Sequence, residues 1–179
     1  MPVSHNFPEN LYTDVREEDV YSTRIIFENG VLKQNKQKRD RGVLIRIFDG
    51  KRWYYSATTE TGQIQEAIDD LAHLATPDPE VLSHPVVSRL EVNRDTILRY
   101  NSDSVDIRQV SRPEKLAVLQ SYLPVLDSHP EIVNAMAFYL DNHTVKHFVS
   151  SLGTDVTFDY QSCAVVTRRS EERRVGIEC

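Results

Sequence analysis

The sequence predicts an α+β fold, in which an antiparallel β meander and a helix are followed by a second helix and three antiparallel strands. Two dipeptides that favour tight turns, Asn29-Gly30 and Asp49-Gly50, separate stretches in which apolar and polar residues alternate. Apolar residues at helical spacing then begin at Ile64, and a helix-capping pattern follows in the second half. Both halves therefore combine alternation by twos with helical spacing, which predicts two units that each pair a sheet with a helix.

The first unit is predicted over residues 11–76, after a loose, proline-containing lead-in over residues 1–10. It contains a meander of about four strands, because each turn dipeptide joins two alternating stretches. The helix that follows is predicted to begin after a Thr61 cap and to contain the apolar residues of 64–74. Pro77 closes the segment, because proline lacks the N–H that a continuing helix needs.

A linker that crosses the surface is predicted over residues 77–111, with VSRLEV and SVDIRQV as candidate short strands. The second unit follows over residues 112–167. Its helix begins with a capping box, in which Ser111 and Glu114 satisfy early backbone N–H groups reciprocally. Pro124 is expected to kink or break this helix.

Three strands are predicted after the second helix, joined by turns at Asp141-Asn142 and at Leu152-Gly153. Residues 168–179 then end the apolar alternation abruptly. They resemble a vector- or adapter-derived tail, and a native polar linker is the alternative.

Composition places the chain among ordinary globular proteins. Of its 179 residues, 40% are hydrophobic and 27% are charged. The net charge of −6 argues against a general nucleic-acid binder. No apolar run is long enough to span a bilayer and no signal peptide is evident, so no membrane partner is expected. Cys163 and Cys179 form no disulfide framework, so a reducing cytoplasm is the expected compartment.

Two histidines in the stretch DNHTVKH, His143 and His147, have the spacing of the helical zinc motif H-E-x-x-H, although Thr144 replaces its glutamate. The β-branched residues and the alternation predict a strand here. Four residues of strand span about 13 Å, whereas zinc–nitrogen bonds are about 2 Å long. We therefore expect no shared zinc site, and instead two histidines on a partly exposed sheet face.

The basic segment KQNKQKRDR, residues 33–41, is the strongest charge feature. With Arg46, Lys51, Arg52 and the aromatic residues of 53–55 it is a candidate arm for binding nucleic acid. The simpler interpretation is a solvated strand edge, where lysines prevent aggregation. The segment alone leaves both interpretations open, and the negative net charge favours the second.

Other candidate groups point to no chemistry. The acidic residues Asp14, Glu17, Glu18 and Asp19 would divide between the two faces of a strand. Cys163 lies in an apolar, alternating stretch and is interpreted as a packed thiol.

Several short motifs occur together in one order over about residues 11–167. In the first unit they are Asp14-Val15-Arg16, Ser22-Thr23, Glu28-Asn29-Gly30, Asp40-Arg41-Gly42-Val43, Arg46 and Asp49-Gly50 with Trp53. In the second unit they are the P-E-K of the helix at 113–115, the strand after SHPEI, and VSSLGTDVTFDYQSCAVV at 149–166. In this order they resemble the N-terminal domain of the TldD/PmbA family, which includes zinc metallopeptidases. Leu44 and Tyr54 depart from the family pattern, because each stands where a glycine is common.

The resemblance implies that zinc is held by a helical H-E-x-x-x-H and a cysteine in the C-terminal half, with the glutamate as general base. No H-E-x-x-x-H occurs in these 179 residues. We therefore assign no catalytic, metal or cofactor-binding residue, and expect zinc only in a missing C-terminal half.

The implied complete protein is a cytoplasmic, zinc-dependent peptidase acting on extended peptides, or the inactive partner subunit of one. Its implied partners are a C-terminal metallopeptidase domain of the same protein and a second family member in a homo- or heterodimer. The alternative is a free-standing binding module that uses residues 33–41 to contact nucleic acid or an acidic protein.

Overall fold

A computed structural model describes residues 5–100, 106–126 and 132–171. In these residues, six strands form one mixed sheet in the order β3-β2-β1-β5-β6-β4, which confirms the predicted α+β class. The strands are β1 (Tyr12–Glu28), β2 (Val31–Phe48), β3 (Trp53–Thr58), β4 (Arg94–Ile97), β5 (Ile132–Ser150) and β6 (Asp155–Glu171). The helices are α1 (Ile64–Ala72), α2 (Arg112–Gln120) and α3 (Leu123–Leu126).

Strands β1, β2 and β3 form the predicted meander, with three strands instead of about four, because β1 runs unbroken through its 17 residues. Both predicted hairpin turns are confirmed. Asn29 and Gly30 have φ values of 49° and 72°, and Gly50 has a φ of 87°. These left-handed conformations are what asparagine and glycine tolerate best.

Replacing Gly50 with alanine should destabilise the protein more than replacing Gly30. Both positions strain an L-residue, at about 1–2 kcal/mol. At Gly50 an added Cβ would also lie 2.6 Å from Asp78 Oδ2, whereas at Gly30 it would meet nothing within 4 Å. Urea unfolding of the two variants should place Gly50→Ala below Gly30→Ala in stability. Equal losses would show that Asp78 moves aside freely.

The first helix is confirmed as α1, but Thr61 is not its cap. Residues Thr61–Gln63 form a 3-10 turn, and Gln63 precedes the helix without a side-chain capping bond. Thr61 lies inside that turn, where its N–H donates to the backbone oxygen of Thr59. Across the described ranges, no helix is both long enough and apolar enough to cross a membrane.

The capping box at the start of α2 is confirmed. The Ser111 hydroxyl accepts a bond from the Glu114 N–H at 3.4 Å, and the Glu114 carboxylate accepts one from the Ser111 N–H at 2.9 Å. The predicted break is confirmed as well. Helix α2 ends at Gln120, and Pro124 lies in the first turn of α3.

The turn predicted at Asp141-Asn142 is wrong, because β5 continues through both residues. The second half consequently has two long strands where three were predicted. The Asp141 carboxylate accepts a bond from the Thr23 N–H at 3.0 Å and lies 2.7 Å from Lys115 Nζ. These partners on other elements satisfy the side chain, so it does not need a turn. The turn before β6 is confirmed, with Gly153 at φ 93°.

The segment predicted to be a surface linker contributes to both the sheet and a core. Strand β4 pairs in parallel with residues 155–158 of β6. Val81 and Val87 are buried against Tyr12 and Phe48. VSRLEV, residues 87–92, is not a strand, because it forms a turn followed by irregular backbone. The described part of SVDIRQV, residues 106–110, is a turn, and its first two residues lie outside the described ranges.

The chain divides into two compact units that do not follow chain order. Unit 1 contains the described residues of Met1–Val20, Asp40–Arg99 and Thr144–Asp159. Unit 2 contains those of Tyr21–Arg39, Tyr100–His143 and Tyr160–Cys179. The expected units, 11–76 and 112–167, are consecutive, whereas β1, β2, β5 and β6 each pass through both compact units. The expected tail begins inside β6, and its residues from 172 lie outside the described ranges.

Each unit has an apolar core of its own. In unit 1, side chains of β1, β2 and α1 pack together, with Val15, Ile45, Ile47 and Ile68 fully buried. In unit 2, Ile25, Leu119 and Ala137 are fully buried. The helices α1 and α2 are therefore held by burial of their apolar faces.

Candidate functional site

A cleft opens in unit 1 where β3 ends. The last residue pair of the β2–β3 ladder is Val43 with Thr58. Next to it lies a cleft of about 760 Å³ lined by residues of β1, β2, β3 and the residue after β3: Arg16, Glu18, Val20, Asp40, Arg41, Gly42, Val43, Leu44, Ala57, Thr58 and Thr59. Charged groups of both signs line it, and no histidine or cysteine is among them. This lining can bind polar groups, and it offers no strong nucleophile.

A smaller cleft of about 220 Å³ shares Glu18, Arg41 and Gly42 with the first and also contains His147. His147 Nδ1 lies 3.4 Å from Glu17 Oε1, and its Nε2 lies 2.8 Å from Asp155 Oδ1. The bond with Glu17 is the main cause that raises the pKa of His147, and it lowers the pKa of Glu17. The geometry therefore favours an imidazolium between two carboxylates.

The coupling between His147 and Glu17 should depend on pH. Because the pKa of His147 is raised, its contribution to the free energy of unfolding is complete below pH 6.5, the ordinary pKa of histidine. This contribution is lost as the pH rises through the raised pKa of the folded protein. Because the pKa of Glu17 is lowered, its contribution to the free energy of unfolding is present above pH 4.5, the ordinary pKa of glutamate. This contribution is lost as the pH falls through the lowered pKa of the folded protein. The pair thus stabilises most between these two values.

A double-mutant cycle with His147→Gln and Glu17→Gln checks this expectation. We expect a coupling free energy of about 0.5–1 kcal/mol near pH 5.5 and almost none near pH 9, from urea unfolding. His5 is a further titrating neighbour of Glu17, and burial lowers its pKa. An equal coupling at both pH values would show that the interaction does not need the charged imidazole.

Both histidines of the DNHTVKH stretch lie on β5, as predicted. His147 is partly exposed as expected, but His143 is buried, with an exposed fraction of 1%. It lies within unit 2, where the strand is covered. In the part of the chain that the structure describes, no group of three or more histidine, cysteine or acidic residues could hold a metal ion.

A buried ion pair in unit 2 was not predicted. Lys115 Nζ lies 2.7 Å from Asp141 Oδ2, and neither side chain is exposed to solvent. The ammonium also lies 3.2 Å from the Thr23 hydroxyl and 5.2 Å from the centre of the Tyr21 ring. Tyr139 donates its hydroxyl to Asp141 at 2.8 Å, and burial is the main cause that raises the pKa of Tyr139. Only one sequence signal was available: Lys115 precedes the core residue Leu119 by four positions, so both lie on one helix face.

A second buried carboxylate, Asp14, lies in unit 1. The Arg46 guanidinium donates to both of its oxygens in a two-nitrogen fork, with Nε 2.9 Å from Oδ1 and a terminal nitrogen 2.6 Å from Oδ2. The guanidinium also lies 4.8 Å from the centre of the Trp53 ring. The bond to Asp14 is the main cause that raises the pKa of Arg46. Arg46 therefore belongs to a structural pair and not to an exposed nucleic-acid arm.

The basic segment 33–41 lies in the first part of β2, where its lysines and arginines are exposed. Lys33 Nζ lies 3.7 Å from Glu28, and Arg41 Nε lies 2.9 Å from Asp19. These two ion pairs with acidic residues of β1 support the interpretation as a solvated strand edge. Cys163 is also exposed, so the interpretation as a packed thiol is wrong. The neighbouring side chains of β6 face solvent as well, since most of residues 160–170 are exposed.

Comparison with known proteins agrees with this architecture. Residues 13–75 match the family model for PmbA/TldA metallopeptidase domain 1. The fold is similar to a candidate modulator of DNA gyrase from Bacteroides thetaiotaomicron, with a TM-score of 0.68 and 14% identity over 90% of this chain and 37% of that one. No curated protein matches the sequence.

Two further crystal structures share the fold. One is a candidate modulator of DNA gyrase from Thermotoga maritima, with a TM-score of 0.55, 14% identity and coverage of 91% of this chain and 40% of that one. The other is TldE from Thermococcus kodakarensis, with a TM-score of 0.59, 14% identity and coverage of 91% and 37%. The chain thus spans less than half the length of each. The predicted resemblance to the TldD/PmbA family is therefore confirmed, by its first-domain model over residues 13–75 and by a shared fold over 90% of the chain.

Proposed function

We propose that this chain is the N-terminal, non-catalytic part of a TldD/PmbA-like protein whose complete form is a cytoplasmic, zinc-dependent peptidase acting on extended peptides, or the inactive partner subunit of one. One observation carries the proposal. The first-domain model matches residues 13–75, while the chain covers only 37% to 40% of the similar solved structures. Catalytic groups would then lie in sequence that follows this chain.

The side chains of the described residues support a binding or structural role. The imidazole of His147 is engaged by two carboxylates, and His143 is buried in unit 2. The cleft beside β3 has charged groups of both signs but lacks histidine and cysteine. We infer that this domain would hold and orient neighbouring segments, while the bond-breaking chemistry would belong to the C-terminal domain of the same protein.

The complete coding region tests the proposal. We expect it to continue into a second domain with H-E-x-x-x-H and a later cysteine. The purified full-length protein should then bind one zinc and cleave extended peptides, and both zinc and activity should depend on that motif. A second domain without the motif would make the chain an inactive partner, which should copurify with an active family member. A native frame that ends without a second domain would refute the proposal.

A free-standing binding module that uses residues 33–41 is the second candidate, and the exposure of this segment favours it. Its binding of nucleic acid would release counterions and would therefore weaken steeply with salt. A salt-sensitive shift of DNA by the purified chain, lost when Lys36, Lys38, Arg39 and Arg41 are neutralised, would support it. An unchanged shift in that variant would refute it.

A further inference from the structure

Within the described residues, one edge of β2 has no paired strand in unit 2. Strand β2 lies between β1 and β3 in the sheet, and β3 pairs only with Val43–Phe48. Among the described residues, no strand therefore covers the β3 side of residues 31–39. An open edge presents backbone N–H and C=O groups that can form a ladder with an incoming strand.

This open edge is strongly basic. Four of its nine residues are Lys33, Lys36, Lys38 and Arg39, and none of the nine is acidic. All four basic side chains are exposed. Because side chains alternate along a strand, Lys33 and Arg39 share one face, and Lys36 and Lys38 share the other. An incoming strand would therefore meet positive charge on both of its faces.

A second copy of this chain does not fit the open edge. Antiparallel pairing of two such edges would bring four cations from each copy together with no acidic residue among them. In the register centred on Lys36, each Lys33 would also lie opposite an Arg39, and each Lys36 opposite its own copy. Like charges directly opposite each other destabilise a strand pair. The edge therefore disfavours self-association.

We propose that residues 31–39 of β2 bind an extended acidic segment of another protein as an added β-strand. Backbone hydrogen bonds to the open edge supply affinity, and acidic side chains facing the four cations supply selectivity. Arg112 of α2 places a further positive charge at this segment, where its guanidinium donates to the backbone oxygen of Asn35 at 3.1 Å. That oxygen is therefore already occupied, and an added strand would pair with other backbone groups of the segment. At the start of the edge, Val31 and Leu32 are 57% and 43% exposed, which suits an apolar residue at one end of the segment. The proposal does not depend on whether the complete protein cleaves peptides.

Fluorescence anisotropy with the purified 179-residue chain tests the proposal. The probe is a labelled peptide of about ten residues, the upper end of the usual strand length, that contains glutamate, threonine and valine. One control peptide has glutamine at every glutamate position. A second keeps the glutamates but carries N-methyl groups on alternate amides, which removes its ladder donors. We expect saturable binding of the acidic peptide and at least about fivefold weaker binding of both controls.

Matched protein variants locate the site. Lys36→Glu should weaken binding of the acidic peptide about fivefold, because it replaces attraction with repulsion. Lys51→Glu changes the net charge equally at an exposed turn outside the edge, and should leave binding within about twofold. Hydrogen exchange should show that saturating peptide protects amides of residues 31–39.

Several outcomes would overturn the proposal. Equal binding of the N-methylated peptide would show that no strand is added. Equal binding of the glutamine peptide would show that charge plays no part. Single-stranded DNA that binds as tightly as the acidic peptide, with the same dependence on Lys36 and no amide protection, would identify a surface for polyanions. Absence of saturable binding by the acidic peptide would also refute the proposal.

Discussion

Replacing Lys115 with methionine should destabilise the protein by about 3–5 kcal/mol. The change removes the ammonium that lies 2.7 Å from Asp141 Oδ2 and leaves a carboxylate with no exposed surface. The Thr23 N–H and the Tyr139 hydroxyl still donate to that carboxylate. They do not replace a full positive charge, because desolvation of an unpaired ion in a protein interior costs several kcal/mol.

Urea unfolding at neutral pH measures the loss, and two variants serve as controls. Lys51→Met removes an exposed lysine and should change the free energy of unfolding by less than about 0.5 kcal/mol. The double variant Lys115→Met/Asp141→Asn should recover part of the loss, because the asparagine is neutral and its oxygen can still accept the Thr23 N–H. If Lys115→Met costs no more than Lys51→Met, the pair is not buried as the structure describes.

Replacing Arg46 with methionine should destabilise unit 1 by about 3 kcal/mol or more. Asp14 has no exposed side-chain surface, and the Arg46 fork is its closest cationic partner. Arg16 Nε lies 3.6 Å from Asp14 Oδ1, which is too long for a strong hydrogen bond. Methionine replaces part of the packing of the arginine stem, so the loss should report mainly the unpaired carboxylate.

Trp53 offers a local reporter, because it is the only tryptophan of the chain and lies against Arg46. Its emission during urea unfolding should show a lower midpoint for Arg46→Met than for the exposed control Arg52→Met. Arg46→Lys should fall between the control and Arg46→Met, since lysine keeps the charge but cannot form the two-nitrogen fork. If Arg46→Lys is as unstable as Arg46→Met, the effect belongs to fork geometry and not to charge.

Features that depend on a few neighbouring residues could be predicted from the sequence. The turns at Asn29-Gly30 and Asp49-Gly50 need positive φ, which glycine and asparagine tolerate. The capping box of Ser111 and Glu114 closes within a single helical turn. Such preferences depend only on residues that are close together in sequence. Periodicity and turn chemistry were therefore enough to predict the meander, α1 and α2.

Features that depend on distant partners were mispredicted or missed. Asp141 and Asn142 favour turns by themselves, yet β5 continues through them because Asp141 finds Lys115 and Thr23 on other elements. Cys163 has a sequence environment typical of a buried strand, and only the surrounding structure shows that it faces solvent. Strand β4 was also missed, because its four residues form a strand only by pairing with the distant strand β6.

The sequence by itself determined the fold class, the turns at Asn29-Gly30, Asp49-Gly50 and Leu152-Gly153, the start of α2 and the resemblance to the TldD/PmbA family. Only the tertiary structure decided which charges are buried, where the cleft lies and which part of β2 is an open edge. The cleft requires residues near positions 16, 41 and 58 to meet, and the open edge exists because β3 stops at Thr58. Strand register and burial arise from contacts between residues far apart in sequence, and the free energy of those contacts outweighs local preference.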